Sequence, residues 1–235
     1  MSGLLTEVPA RALAVYAHPD DPEVSCGGTL ARWAAGGAEV RLVVVNAGDK
    51  GSPDPDTDPA KLTERRAAEV LAAADVLGLA GVELLGVPDG EVTNDLALRG
   101  RLVALVRGHR PEIVVCPDPT AVFFGDSSVN HRDHREVGWA VLDAVAPAAG
   151  SPLYFPEAGP AHQVGALLLS GTFQADAWVD VSEAVDTKIA AVACHESRMG
   201  DDPALVADLL RSRTAETGAQ AGVDHAESFR RLRLG

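Results

Sequence analysis

The sequence predicts an α/β fold in one domain, residues 1–235, with a mostly parallel β-sheet flanked by helices. Three observations carry this. Four short apolar runs, at 12–17, 40–45, 82–85 and 112–116, alternate with segments of helical periodicity. The run at 40–45 is nearly continuous in Val and Leu, as in parallel strands covered on both faces. Strand–helix alternation at this spacing closes into parallel pairs through right-handed crossovers.

In chain order, residues 1–10 read as a loose lead-in to a first strand at Leu13–Ala17. The stretch from Val24 to Ala35 carries Leu30, Trp33 and Ala34 at helical spacing and stops at Gly36-Gly37. The second strand is Val40–Val45. Residues 48–60 hold three prolines, two glycines and four aspartates: a polar loop after a strand end, a plain solvated loop or a lid over a site. Leu62 to Leu77 reads as a helix stopped by Gly78, 82–85 as the third strand and Leu96 to Arg107 as a helix. Glu112–Cys116 is the fourth strand, closed by Pro117.

A long loop, 117–130, follows. Its Phe123-Phe124 pair fits a pocket mouth or a place tucked beneath the loop. Val137 to Val145 reads as a helix. Further strands are expected at 152–155, 164–169 and 177–181, a helix at 183–195, and terminal helices at 204–212 and 227–232. No internal repeat or shift in composition marks a second domain.

Composition excludes several roles. No apolar run approaches the roughly 18 residues of a membrane span. The stretch Met1–Glu7 lacks the basic and apolar regions of a secretory signal. Three widely spaced cysteines, Cys26, Cys116 and Cys194, make no disulfide framework and fit a cytoplasmic protein. A net charge of −14, from 34 acids against 20 bases, argues against nucleic acid and anionic membranes as partners. Gly27-Gly28 does not make the G-x-G-x-x-G fingerprint of a dinucleotide site.

Two segments concentrate metal-ligand residue types: His18, Asp20 and Asp21 after the first strand, and His131, Asp133 and His134 after the loop that leaves the fourth. Both precede helices. In a parallel sheet such turns lie at one edge, where α/β proteins build their sites. A catalytic zinc takes three protein ligands from His and carboxylate and leaves a fourth position for water. Either segment alone also fits a helix cap or a solvated helix start. Together they favour a metal site. Cys26 stands near the first turn, as a fourth ligand or a small buried apolar residue. Cys194 and His195 are adjacent, which makes no nucleophile–base pair on a helix. His109, His162 and His225 have no clustered partners.

The first turn, Ala17-His18-Pro19-Asp20-Asp21-Pro22-Glu23, and the distant His131-Arg132-Asp133-His134 resemble the LmbE-like (PIG-L) family of zinc-dependent N-deacetylases. That family shows A-H-P-D-D-E and H-x-D-H on a Rossmann-like fold; here Pro22 separates Asp21 from Glu23. Arg66-Ala67-Ala68-Glu69 with Leu77-Gly78, Pro88-Asp89-Gly90, Lys188 to Ser197 with His195, and Ala226-Glu227-Ser228-Phe229 extend the resemblance over most of the chain.

The resemblance implies His18, Asp21 and His134 as ligands of Zn2+, another divalent metal being admitted by the same donors. It implies Asp20 as general base and His131 as the protonated group that stabilises the oxyanion or helps the amine leave. Asp133 then tunes a neighbouring His, and Arg66 and Asp89 lie near the substrate. Arg66 also fits a surface salt bridge, and Asp89 a simple turn. Some family members carry a Tyr where this chain has Val129. The implied reaction is removal of an N-acetyl or other N-acyl group from an amino sugar or glycoconjugate, a small-molecule partner; a homo-oligomer is left open. A non-catalytic metal- or ligand-binding protein on the same fold is the alternative, and it predicts that Asp20→Asn changes nothing measurable.

Overall fold

The computed structural model describes residues 3–198 and 203–234. In chain order the elements are β1 (Gly3–Leu4), β2 (Arg11–Tyr16), α1 (Asp21–Ala35), β3 (Glu39–Asn46), α2 (Pro59–Leu77), β4 (Gly81–Val87), α3 (Leu96–His109), β5 (Ile113–Pro117), β6 (Phe123–Phe124), β7 (Ser128–Val129), α4 (Arg132–Asp143), β8 (Ala166–Ser170), β9 (Ala177–Asp180), α5 (Val185–Ala193), α6 (Pro203–Ala221) and β10 (Ala226–Arg233).

The main sheet runs β1-β9-β10-β8-β5-β2-β3-β4. Its centre, β8-β5-β2-β3-β4, is parallel throughout. In order of appearance these five strands stand 3-2-1-4-5, the doubly wound Rossmann arrangement, and the winding reverses between β2 and β5. The crevice at the carboxyl ends of those two strands is where the two His/Asp segments emerge.

Alternation along the strands builds both layers of core. Leu13, Val15, Val43 and Val45 face one cluster with Val103 and Val106 of α3 and Val137 and Val141 of α4. Ala14, Tyr16, Leu42 and Val44 face the other with Leu30 and Trp33 of α1, Val70 of α2 and Ala191 of α5.

Three expectations are corrected. The segment 227–232 is not a helix but most of β10, antiparallel to both β8 and β9. Ala226, Phe229 and Leu232 recur at helical spacing, but pairing on both edges, which no local pattern reveals, decides the outcome. Residues 152–155 form no strand. The buried Arg107 guanidinium instead holds this stretch, donating to the carbonyls of Ala148, Ala149, Ser151, Tyr154, Phe155 and Gly159. The lead-in is not wholly loose: Gly3 and Leu4 pair with β9, while residues 1 and 2 lie outside the described residues. No helix among the described residues is long and apolar enough to cross a membrane.

Helix α1 is broken at Cys26 (φ −147°). In an unbroken helix the Gly28 amide would bond the Val24 carbonyl. Here Lys188 Nζ donates to that carbonyl, and Glu227 accepts from the Gly28 and Thr29 amides at 3.0 and 2.7 Å. A Cβ at Gly28 would lie 2.8 Å from Val181, so close approach demands glycine there. The break leaves a first turn, 21–25, that presents Asp21 to the crevice.

Candidate metal centre

The β2–α1 turn and the start of α4 meet at the crevice. His18 Nδ1 lies 3.1 Å from Asp21 Oδ2 and 3.0 Å from His134 Nε2, and His134 Nε2 lies 3.2 Å from Asp21 Oδ2. The outer nitrogens of both rings are engaged. His134 Nδ1 is 2.9 Å from Asn130 Oδ1, and His18 Nε2 is 3.2 Å from Asp89 Oδ1. Asn130 Oδ1 and Asp89 are acceptors, so each ring carries its proton on the outer side and turns a bare lone pair inward. Asp21 Oδ2 is oriented by the His18 backbone N–H at 2.7 Å.

With both rings neutral, three acceptors thus turn toward one point. Tetrahedral zinc with ligand bonds of roughly 2.0–2.2 Å needs ligand atoms about 3.3 Å apart. The observed edges of 3.0–3.2 Å fit a divalent ion. A second group, His18, Asp89, His131 and Asp133, also lies within ligand range. In that group Asp133 Oδ2 accepts from Asn46 Nδ2 and the Gly90 amide, and His131 Nδ1 from the Asp133 amide.

Asp20 stands at the N-cap position of α1 but its side chain makes no capping bond. Its backbone has φ 90°, a left-handed conformation that costs a non-glycine residue energy and recurs at functional sites. Its carboxylate lies 3.3 Å from Arg66 and 3.5 Å from Arg198. Burial, and then the charge of Asp21, push its carboxyl up to about 6. A helix-capping role, which the sequence left open, therefore does not account for this residue. His131 does cap its helix, through Nδ1. Burial and the neighbouring His18 hold it below the ordinary imidazole range, so its proton sits on Nε2.

Of the eight site residues singled out in the sequence, seven gather at the crevice, and Arg66 reaches it from behind. The Arg66 guanidinium is buried and donates to the Gly48 and Pro19 carbonyls and to Asp20. It lies neither on the helix surface nor in the open pocket. Asp133 is fully buried, with Asp89 beside the outer edge of His18. The 48–60 loop begins pinned, since a Cβ at Gly48 or Gly51 would strike Arg66 at 2.3 or 2.6 Å. Cys26 points into the core against the Tyr16 hydroxyl, and burial pushes its thiol up. His195 is fully buried, 3.2 Å from Glu23, and Ser197 bonds Glu69. His109 and His162 bond main-chain carbonyls, and His225 bonds Thr214, all outside the site.

Sequence reasoning missed Asn46, Asn130, Arg198 and Arg213. Asn130 had a signal: it precedes His131 and sits four residues before His134, one helical turn. An open cavity of about 640 Å³ lies over the cluster, bounded by Asp20, His131, Phe124, Val129, Ser170 and Arg213. A larger concavity, about 1100 Å³, lies between the ends of α1 and α2 and holds none of the clustered His residues.

Known proteins resemble this chain over most of its length. The diacetylchitobiose deacetylase of Thermococcus kodakarensis is 30% identical over 225 residues, covering 94% of this chain and 82% of that protein. A 1D-myo-inositol 2-acetamido-2-deoxy-alpha-D-glucopyranoside deacetylase of Streptomyces avermitilis is 33% identical over 180 residues, with 66% of this chain and 58% of that one matched. The structure of N,N'-diacetylchitobiose deacetylase from Pyrococcus horikoshii superposes with a TM-score of 0.86 at 26% identity, over 96% of this chain and 84% of that one. Residues 13–145, more than half the sequence and both His/Asp segments, match the family described as PIG-L, GlcNAc-PI de-N-acetylase, and the chain belongs to that family.

Proposed function

We propose that this chain is a zinc-dependent deacetylase that hydrolyses the N-acetyl, or another N-acyl, amide of an amino sugar held in a small glycoside. The observation that carries it is the convergence of the His18, Asp21 and His134 lone pairs beside Asp20, a strained carboxylate that caps nothing. The 2-acetamido-2-deoxyglucose unit named for the Streptomyces relative, and the diacetylated disaccharide named for the Thermococcus one, support the substrate class.

In this assignment His18, Asp21 and His134 hold the ion and leave one side open to the cavity. A zinc ion bound there supplies a water of lowered pKa and a Lewis acid for the amide carbonyl. Asp20 accepts the proton of the attacking water and passes it to the leaving amine. His131 donates from Nε2–H to the oxyanion, as a neutral imidazole rather than an imidazolium. Val129 offers no hydroxyl where some relatives of this family carry a Tyr, so the side-chain donation falls to His131. Asp89 and Asn130 fix the ligand rings from outside, and the buried Asp133 carboxylate, 3.7 Å from His18 Nε2, tunes that ring by its charge. Arg66 holds the Asp20 carboxylate and its turn in place, a positioning role rather than substrate contact. The products are acetate and a free amine.

The test is amine release from N-acetylglucosamine and diacetylchitobiose by zinc-loaded protein, with chelator-stripped protein beside it. Metal-dependent release of one amine per acetate bears the proposal out. Stoichiometric zinc with no release from a panel of N-acyl amino sugars leaves a non-catalytic metal-binding protein.

A further inference from the structure

The chain has five phenylalanines. Phe229 is in the core and Phe155 packs against it. The other three stand in the open at one place: Phe123 is 65% exposed, Phe124 39% and Phe173 63%. Singly exposed apolar residues are ordinary, but a cluster at the rim of a catalytic cavity is a mark of binding. The rings of Phe124, on β6, and Phe173, in the turn after β8, are 5.3 Å apart and tilted by 52°. Two separate loops therefore present one aromatic surface.

This surface continues into the site. Phe124 and Val129 line the same cavity as Asp20, His131 and His134. Asn130 closes the β6–β7 hairpin, donating from its amide to Val122 and from Nδ2 to Ala121, while its Oδ1 holds His134. The aromatic wall is thus fixed to a metal-ligating residue through one side chain. Arg213, on α6, also lines the cavity; it is exposed and has no side-chain partner among the described residues. A flat, unpaired guanidinium stacks well on an aromatic face.

We propose that the β6–β7 hairpin, Phe173 and Arg213 form an aglycone subsite, which takes an aromatic group glycosidically linked to the N-acylated amino sugar. This rests on the deacetylase assignment above and adds to it what the sugar carries. A bare sugar or a methyl glycoside leaves the aromatic wall in water; an aryl glycoside covers it.

The test compares 4-nitrophenyl and methyl glycosides on zinc-loaded protein in two ways. One is kcat/KM for amine release from the N-acetylated forms. The other is calorimetric affinity for the free-amine forms, which bind without turnover. Wild type is expected to prefer the aryl glycoside by about tenfold in both. Phe124→Ala with Phe173→Ala is expected to bring that preference within about twofold. Phe173→Ser alone, at an exposed position, gives an intermediate preference and guards against a folding defect in the double variant. Equal values for the two glycosides in wild type, or a preference that survives the double variant, overturns the subsite and leaves the deacetylase standing. Aryl-selective binding with no amine release from either glycoside does the reverse. A wild-type dimer that the double variant dissociates, with no aryl preference, assigns the patch to a second copy of the chain and overturns the subsite.

Discussion

His18 Nδ1 and His134 Nε2 stand 3.0 Å apart although 116 residues separate them in the chain. Both lone pairs point inward, because Asp89 and Asn130 occupy the outer nitrogens. Asp21 Oδ2 completes a triangle of ligand atoms that could hold a metal ion. The wild-type protein is expected to carry about one divalent ion per chain by elemental analysis, and His134→Ala or Asp21→Asn to lose it. An ion held at a thousandfold its Kd adds about 4 kcal/mol, so chelation lowers Tm by roughly 10 °C. A chelator that leaves Tm unchanged, with no metal found, would remove the site.

Asp20, the proposed general base, is the position at which catalysis and metal binding can be tested apart. Asn in its place has the same shape and tolerates the left-handed backbone at φ 90°. Asp20→Asn is therefore expected to keep its metal and fold while kcat for amine release falls about 10²- to 10⁴-fold. Full activity in a metal-loaded Asp20→Asn protein would assign the proton transfer to another group.

The clustering of the candidate site was legible in the sequence because its His and Asp residues sit in two compact segments, each tied to a strand end, and a parallel sheet brings such ends together. The central sheet was legible for the same reason: β2, β3 and β5 are locally apolar and locally bounded. What the sequence hid is non-local. The strand identity of β10 depends on two partners, β8 and β9, that flank it only in the fold. Arg66 fits a place near the substrate or a surface salt bridge in the sequence, and neither reading contains its burial beneath Gly48 and Gly51. The contributions of Asn46 and Arg213 to the crevice have no signature at all, since each comes singly from an element with other business. The Phe123-Phe124 pair left two placements open, and only the packing of Phe173 distinguishes them.

Asn130 joins the candidate metal centre to the hairpin. Asn130→Ala removes the acceptor on His134 Nδ1 and leaves the Ala121 carbonyl without its donor. Loss of such an outer hydrogen bond costs about 10- to 100-fold in metal affinity. We expect that loss in a competition titration against a chromophoric chelator, with far-UV circular dichroism unchanged. Asn130→Asp, which keeps an acceptor, is expected to recover most of the affinity. If Asn130→Ala binds metal as tightly as wild type, the tautomer of His134 is fixed by something else.

Lys188 and Glu227 bear on the site from further away. Both side chains are almost wholly buried, at 2% and 3% exposure, and together they satisfy the backbone groups freed where α1 breaks. Lys188→Met strands the Glu227 charge in the core and leaves the Val24 carbonyl without a donor. Removing one partner of a buried pair costs roughly 3–5 kcal/mol, a fall in Tm of about 10 °C. The double variant Lys188→Met with Glu227→Gln removes both charges, and its loss is expected to be smaller than the sum of the single losses, as for any contacting pair. The break is also what turns residues 21–25 toward the crevice, so metal affinity measured well below the transition should weaken in Lys188→Met. A control substitution of equal stability cost in the α3–α4 core layer, Val103→Ala, should leave that affinity unchanged. Equal affinities in the two variants would mean that the first turn of α1 holds its place without the Lys188–Glu227 pair, through the Asp21 contacts alone.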